Sequence, residues 1–108
     1  MRSALLTASC AAALIGAWTL PAGAAGRLTL YCVVDEAWCQ LMTTEFEKET
    51  GISVAMTRKS SGETYAQVKS EADNPKGDVW WGGTGDPHLQ AAEEGLTEVY
   101  ESSANADL

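Results

Sequence analysis

Leu28-Thr29-Leu30-Tyr31-Cys32-Val33-Val34, followed at once by the acidic pair Asp35-Glu36, is the stretch whose reading decides the fold. A short apolar and β-branched run of this kind has the composition of a buried strand. Asp35 then stands where a helix N-cap belongs, and positions 38, 41, 42, 46 and 49 repeat at intervals of three and four. The first four of these are Trp38, Leu41, Met42 and Phe46, which predicts a helix with those side chains inward and Glu45 to Glu49 as its charged outer surface. Thr50-Gly51 ends it, because glycine adopts the left-handed C-terminal conformation cheaply.

Working outward, Ile52-Ser53-Val54-Ala55-Met56 alternates and reads as a second strand. Ser60 with Glu63 three residues later is a capping-box signature. The helix it opens carries Tyr65, Val68 and Ala72 inward and runs out at Asp73-Asn74-Pro75-Lys76-Gly77, where proline has no place inside a helix. Asp78-Val79-Trp80-Trp81-Gly82-Gly83 reads as a third strand leading into a glycine loop, with Trp80 and Trp81 on opposite faces. Asp86-Pro87 starts a third helix with proline in its first turn, Leu89, Ala92 and Leu96 inward and Gly95 as its stop. Strand, helix, strand, helix, strand, helix predicts an α/β fold: an open, mostly parallel sheet with right-handed crossovers and both faces covered.

Composition sets the outer limits. The 108 residues are 45% hydrophobic and 20% charged, with seven Lys and Arg against fifteen Asp and Glu, a net charge of -8 and a pI near 4.4. No basic cluster is present to track phosphates, so nucleic acid is excluded as a partner, as is an anionic membrane face. Residues 1–24 read as a signal peptide: Arg2 is the basic start, Ala4 to Leu20 the uncharged apolar run, and Pro21-Ala22-Gly23-Ala24 the small-residue cleavage site. Cleavage after Ala24 leaves residues 25–108, exported and not membrane-spanning, with six cationic against fifteen acidic side chains. Cys32 and Cys39 alone survive it, an even number in an oxidising compartment, and are expected to form a structural disulfide. Three strands make a thin core for a parallel sheet. Glu101 to Leu108 bring no closing element, so the chain reads as the start of a larger domain.

In open α/β sheets ligands bind beyond the carboxyl ends of the strands. Three loops lie there: Val34-Asp35-Glu36, Ser60-Ser61-Gly62, and Gly82-Gly83-Thr84-Gly85. Ser60, Ser61 and Gly62 bring hydroxyls, backbone N–H groups and a helix dipole to an anion-sized spot, or else simply cap the helix. Gly83 and its neighbours let the backbone approach a ligand, and Thr84 adds a hydroxyl, or else the glycines simply turn the chain. No catalytic signature appears. His88, the single histidine, reads as a solvated helix-surface side chain, no serine or cysteine has a base partner in sequence, and the glycine loop is neither a Walker A nor a G-x-G-x-x-G motif.

The segments Leu28-Thr-Leu-Tyr31, Phe46-Glu-Lys-Glu-Thr-Gly-Ile52, Lys59-Ser-Ser-Gly-Glu63, Asn74-Pro-Lys-Gly-Asp-Val-Trp-Trp-Gly-Gly83 and Ala91-Ala-Glu-Glu-Gly-Leu96 together resemble the N-terminal part of bacterial extracellular solute-binding proteins of ABC transporters, particularly the ferric-iron branch. The resemblance implies a periplasmic receptor of the type II arrangement, of which residues 25–108 supply the first part of lobe one. It implies a ligand, ferric iron or a small anion such as a phosphonate, held in a cleft on the three loops above and delivered to an inner-membrane permease. No cofactor beyond a transported Fe(III) is implied. Ferric-binding members place a histidine after the first strand and a carboxylate after the third; the matching positions here are Asp35 and Gly83. Asp35 has an oxygen for Fe(III), a hard ion, and Gly83 has no side chain to offer. Two other readings stand beside this one: a small exported thiol-disulfide protein using Cys32 and Cys39, and a secreted interaction module that folds alone.

Overall fold

The computed structural model describes residues 26–107; the signal segment read at residues 1–24 lies outside them. The order is β1 (Arg27–Cys32), α1 (Glu36–Thr50), β2 (Ser53–Arg58), α2 (Ser61–Ser70), β3 (Val79–Trp81) and α3 (Gly85–Glu93), with a 3-10 turn at Ser103–Asp107. The alternation expected from the sequence is observed. β1 lies in the middle of a fully parallel sheet ordered β2-β1-β3, with Leu30 opposite Met56 and Tyr31 opposite Trp80.

α1 lies on one face of this sheet and α2 and α3 on the other. Leu28, Leu30 and Cys32 of β1 turn toward α1 and form the core with Cys39, Val34, Val54, Met56 and Trp81. Tyr31 turns the other way, to α2, where its hydroxyl donates to Glu71 Oε2 at 2.7 Å and accepts from Gln67 Nε2 at 3.1 Å. Trp80 also faces this side and stacks on His88 of α3, so the two tryptophans do point to opposite faces. Tyr65 Oη and Lys69 Nζ of α2 both reach Glu94 just beyond α3, at 2.7 and 3.0 Å, and tie the two helices together.

In each helix some of the expected inward residues turn outward, while Met42 and Phe46 of α1 face the sheet as expected. In α1, Cys39 is fully buried, whereas Trp38 and Leu41 are 62% and 60% exposed. The Cys32–Cys39 disulfide, with Cα atoms 6.1 Å apart, explains this. It fixes the rotation of the helix so that Cys39, Met42, Thr43 and Phe46, spaced i, i+3, i+4 and i+7, face the sheet. In α2 the buried residue is Thr64, whose hydroxyl returns to Ser60 O at 2.9 Å, while Tyr65 leans to α3 and Ala72 is exposed. In α3, Ala91 is fully buried and Leu89 is 65% exposed. Small side chains at these contacts let the helices approach.

Helix limits follow the expected signals. Gly51, at φ 71°, ends α1. α2 stops at Ser70, ahead of Pro75, and α3 opens at Gly85 with Thr84 as its N-cap, which places Pro87 in the first turn. No helix among the described residues is long and apolar enough to cross a membrane.

Candidate ligand-binding site

Because all three strands are parallel, their carboxyl ends and the N-termini of the three following helices share one edge of the sheet. The chain leaves β1 for α1 on one face and leaves β3 for α3 on the other. Connections that leave neighbouring strands for opposite faces mark the place where such sheets hold ligands.

Val33 and Val34, just past β1, are the hub of this edge. Val33 N–H donates to Trp81 O at 2.9 Å, and Lys59 N–H donates to Cys32 O at 3.2 Å, so the backbone pairing of β1 continues on both sides. Gly82 and Gly83 have φ of 85° and 92°. A Cβ on Gly82 would collide with Val34 Cγ1, and one on Gly83 would stand 2.5 Å from Ser61 Oγ and 3.1 Å from Val33 Cγ1. Only glycine meets both the left-handed backbone and the close approach at these two positions. Thr84 N–H lies 3.4 Å from Ser61 Oγ, closing the contact between the loop after β2 and the loop after β3.

The sequence candidates thus come together, with different duties. Ser60 is the N-cap of α2 in a complete capping box: its hydroxyl accepts from Glu63 N at 3.3 Å, and its own N–H and hydroxyl donate to Glu63 Oε2 at 3.0 and 2.7 Å. The Ser60 hydroxyl and then its backbone N–H hold the Glu63 carboxyl below its ordinary value. Of the two readings open for Ser60, the cap is therefore the one observed. Ser61 Oγ faces the glycine loop instead, and the backbone N–H groups of Ser61 and Gly62 donate to no described residue. Asp35 caps α1 and Thr84 caps α3, neither through its side chain, so both side chains stay exposed at the edge.

Two residues at the edge were not among the sequence candidates. His88 is half-buried instead of solvated: its ring lies 4.0 Å from the Trp80 ring, and Nε2–H donates to Gly82 O at 2.9 Å, holding the glycine loop in place. Arg58, the last residue of β2, donates from Nε to Val34 O at 2.7 Å. A register argument finds both: Arg58 sits opposite Cys32 on the neighbouring strand, and His88 lies one turn into the helix that follows the glycine loop.

Cys32 and Cys39 are both fully buried. An attacking thiolate needs access to a sulfur, so the pair has the surroundings of a structural staple that closes the β1–α1 loop. Among the described residues no group of three or more His, Cys, Asp or Glu side chains converges as a metal site.

No protein-family model matches the chain. An uncharacterized protein of Haemophilus influenzae is 44% identical over 81 residues, which cover 75% of this chain and 23% of the relative. Among solved structures, the periplasmic binding protein P5PA superposes with a TM-score of 0.73 at 40% identity over 77% of this chain and 26% of its own. The periplasmic binding protein AfuA from Actinobacillus pleuropneumoniae, with exogenous fructose-6-phosphate bound, gives 0.70 at 41% identity over 72% of this chain and 24% of its own. This is a periplasmic-binding-protein fold. Iron-bound HitA from Pseudomonas aeruginosa shares it with a TM-score of 0.70 at 26% identity, over 74% of this chain and 26% of that one. The chain spans about a quarter of the length of each of these proteins. P5PA and AfuA are named as periplasmic binding proteins, and the resemblance read in the sequence reaches that far; the ferric branch is not singled out.

Proposed function

We propose that this chain is the ligand-capturing first part of lobe one, residues 25–108, of an exported solute-binding protein, and that its ligand is a small phosphate-bearing molecule. The observation that carries the reading is the convergence of Ser61, Gly82, Gly83 and Thr84 around Val33 and Val34, at an edge onto which three helix N-termini open. Free backbone N–H groups at the start of α2, with the dipole behind them, favour an anion. The 41% identity to a protein solved with fructose-6-phosphate supports a phosphate ester over the phosphonate considered from sequence. Fe(III) is the weaker reading, because among the described residues Asp35 is in no cluster of His, Cys, Asp or Glu, and Gly83 has no side chain to give. Capture in the periplasm and delivery to an ABC permease in the inner membrane complete the proposal, and no catalytic step belongs to it.

Amide NMR tests the binding step. Titrating the chain with fructose 6-phosphate at constant ionic strength is expected to shift the amides of residues 33–35, 60–62 and 82–85, with fructose alone producing little. Shifts confined to the opposite edge, near Arg27 and Ser53, or no shifts at millimolar ligand, refute it.

A further inference from the structure

We infer that Arg58 is the cationic anchor of this site and that its guanidinium supplies the positive charge that holds the phosphate group; the inference rests on the phosphate reading above. A chain with fifteen acidic and seven basic side chains repels a small anion overall, so capture needs a local cation that is close and uncommitted. Lys48 is paired with Glu45 and Lys69 with Glu94. Lys59, although next to Ser60, turns to α2 and donates to Gln67 Oε1. Arg27 opens β1 at the far edge, about 16 Å away along a six-residue strand. That is twice the screening length of about 8 Å at physiological salt, so its charge is not felt at the site. Lys76 precedes β3 at that same far edge.

Arg58 alone ends a strand at the ligand edge. Its Nε–H is bound to Val34 O at 2.7 Å, which fixes the plane of the guanidinium beside the hub of the site. The two terminal nitrogens make no hydrogen bond or salt bridge with any described residue. A planar fork held by its Nε and open at its Nη atoms is suited to two parallel N–H···O bonds to a phosphate, which a lysine ammonium cannot reproduce. Val34 also touches Gly82, so the same residue that orients Arg58 borders the glycine loop. Val34 thereby links the cation, through its carbonyl, to the glycine loop, through its side chain.

The test compares the unaltered chain with Arg58→Gln and Arg58→Lys by amide and arginine Nε NMR, using inorganic phosphate and fructose 6-phosphate as probes. In the unaltered chain the Arg58 Nε–H resonance is expected to shift and saturate with the amides of Ser61, Gly62 and Gly83. Arg58→Gln is expected to weaken both probes about 10- to 100-fold, the range for a hydrogen bond to a charged group. Arg58→Lys is expected to recover only part of that. The free spectra of the variants, unchanged away from Val34, establish that the fold is kept. If the unaltered chain binds phosphate and Arg58→Gln binds it equally well, the inference is wrong and the proposed function stands. Failure of the unaltered chain to respond to either probe overturns both.

Discussion

Substituting Gly82 by alanine isolates the constraint that shapes the candidate site. The residue sits at φ 85°, and the added Cβ would collide with Val34 Cγ1 while standing 3.5 Å from Val34 N and 3.6 Å from Val33 C. The left-handed backbone costs about 1–2 kcal/mol for a residue with a Cβ. Relief of the collision requires Val34 to rotate about a stiff β-branched χ1 or the β1 backbone to move, an overpacking term of about 1–3 kcal/mol. The sum is about 2–5 kcal/mol. Two further glycines separate the contributions. Gly95, at φ 70° with no atom within 4 Å of an added Cβ, carries the backbone cost alone. Gly62, equally open and without a positive φ, is expected to gain about 0.5–1 kcal/mol on becoming alanine in a helix. Urea unfolding of the 108-residue chain, followed by tryptophan fluorescence at a common m-value, measures all three. If Gly82→Ala and Gly95→Ala differ by less than about 0.5 kcal/mol, the packing of Gly82 on Val34 is not what the structure indicates.

Tyr31 gives a pH-dependent outcome: burial, then its hydrogen bond to Glu71, pushes its hydroxyl from 10.0 up to about 12. A raised folded value means that the stabilisation is fully present below pH 10 and is lost as pH rises toward 12, at about 1.4 kcal/mol per pH unit. Ultraviolet titration should show a tyrosinate component near pH 12 that vanishes in Tyr31→Phe, and ionisation of every tyrosine by pH 10.5 would contradict the burial. The Cys32–Cys39 disulfide joins residues 7 apart, a loop whose closure is worth about 2.5 kcal/mol by chain entropy. The double variant Cys32→Ala/Cys39→Ala should lose at least that much in urea unfolding, and mild reductant should leave the native pair intact. Free thiols appearing while the chain remains folded would favour the exchange-protein reading instead.

Periodicity and punctuation made the order of elements legible. Gly51, the Ser60–Glu63 box, Pro75 and Gly95 each mark a terminus or connection where local backbone chemistry leaves little choice. Helix rotation was only partly legible, and for one physical reason. Periodicity placed Met42 and Phe46 correctly but also turned Trp38, Leu41 and Leu89 inward, whereas the fully buried helix positions are Cys39, Thr64 and Ala91. Each is small or cross-linked, and each owes its place to a contact between elements: a disulfide to β1 for Cys39, and the packing of α2 and α3 on each other for Thr64 and Ala91. Trp38 and Leu41 consequently stand exposed on the outer side of α1.

The same division explains what was found and missed at the site. Strand direction alone places Asp35, Ser61, Gly83 and Thr84 at one edge, because every loop following a parallel strand opens there. Side-chain direction decides what the edge can hold, and that depends on register. Arg58 and Lys59 are adjacent cations at the end of β2, indistinguishable in composition. Alternation sends them to opposite faces, one to Val34 O and the other to Gln67. Only the first keeps its terminal nitrogens free of partners among the described residues, at the carbonyl of the residue that packs on Gly82. That one-residue difference of register decides which of the two cations reaches the loop after β1.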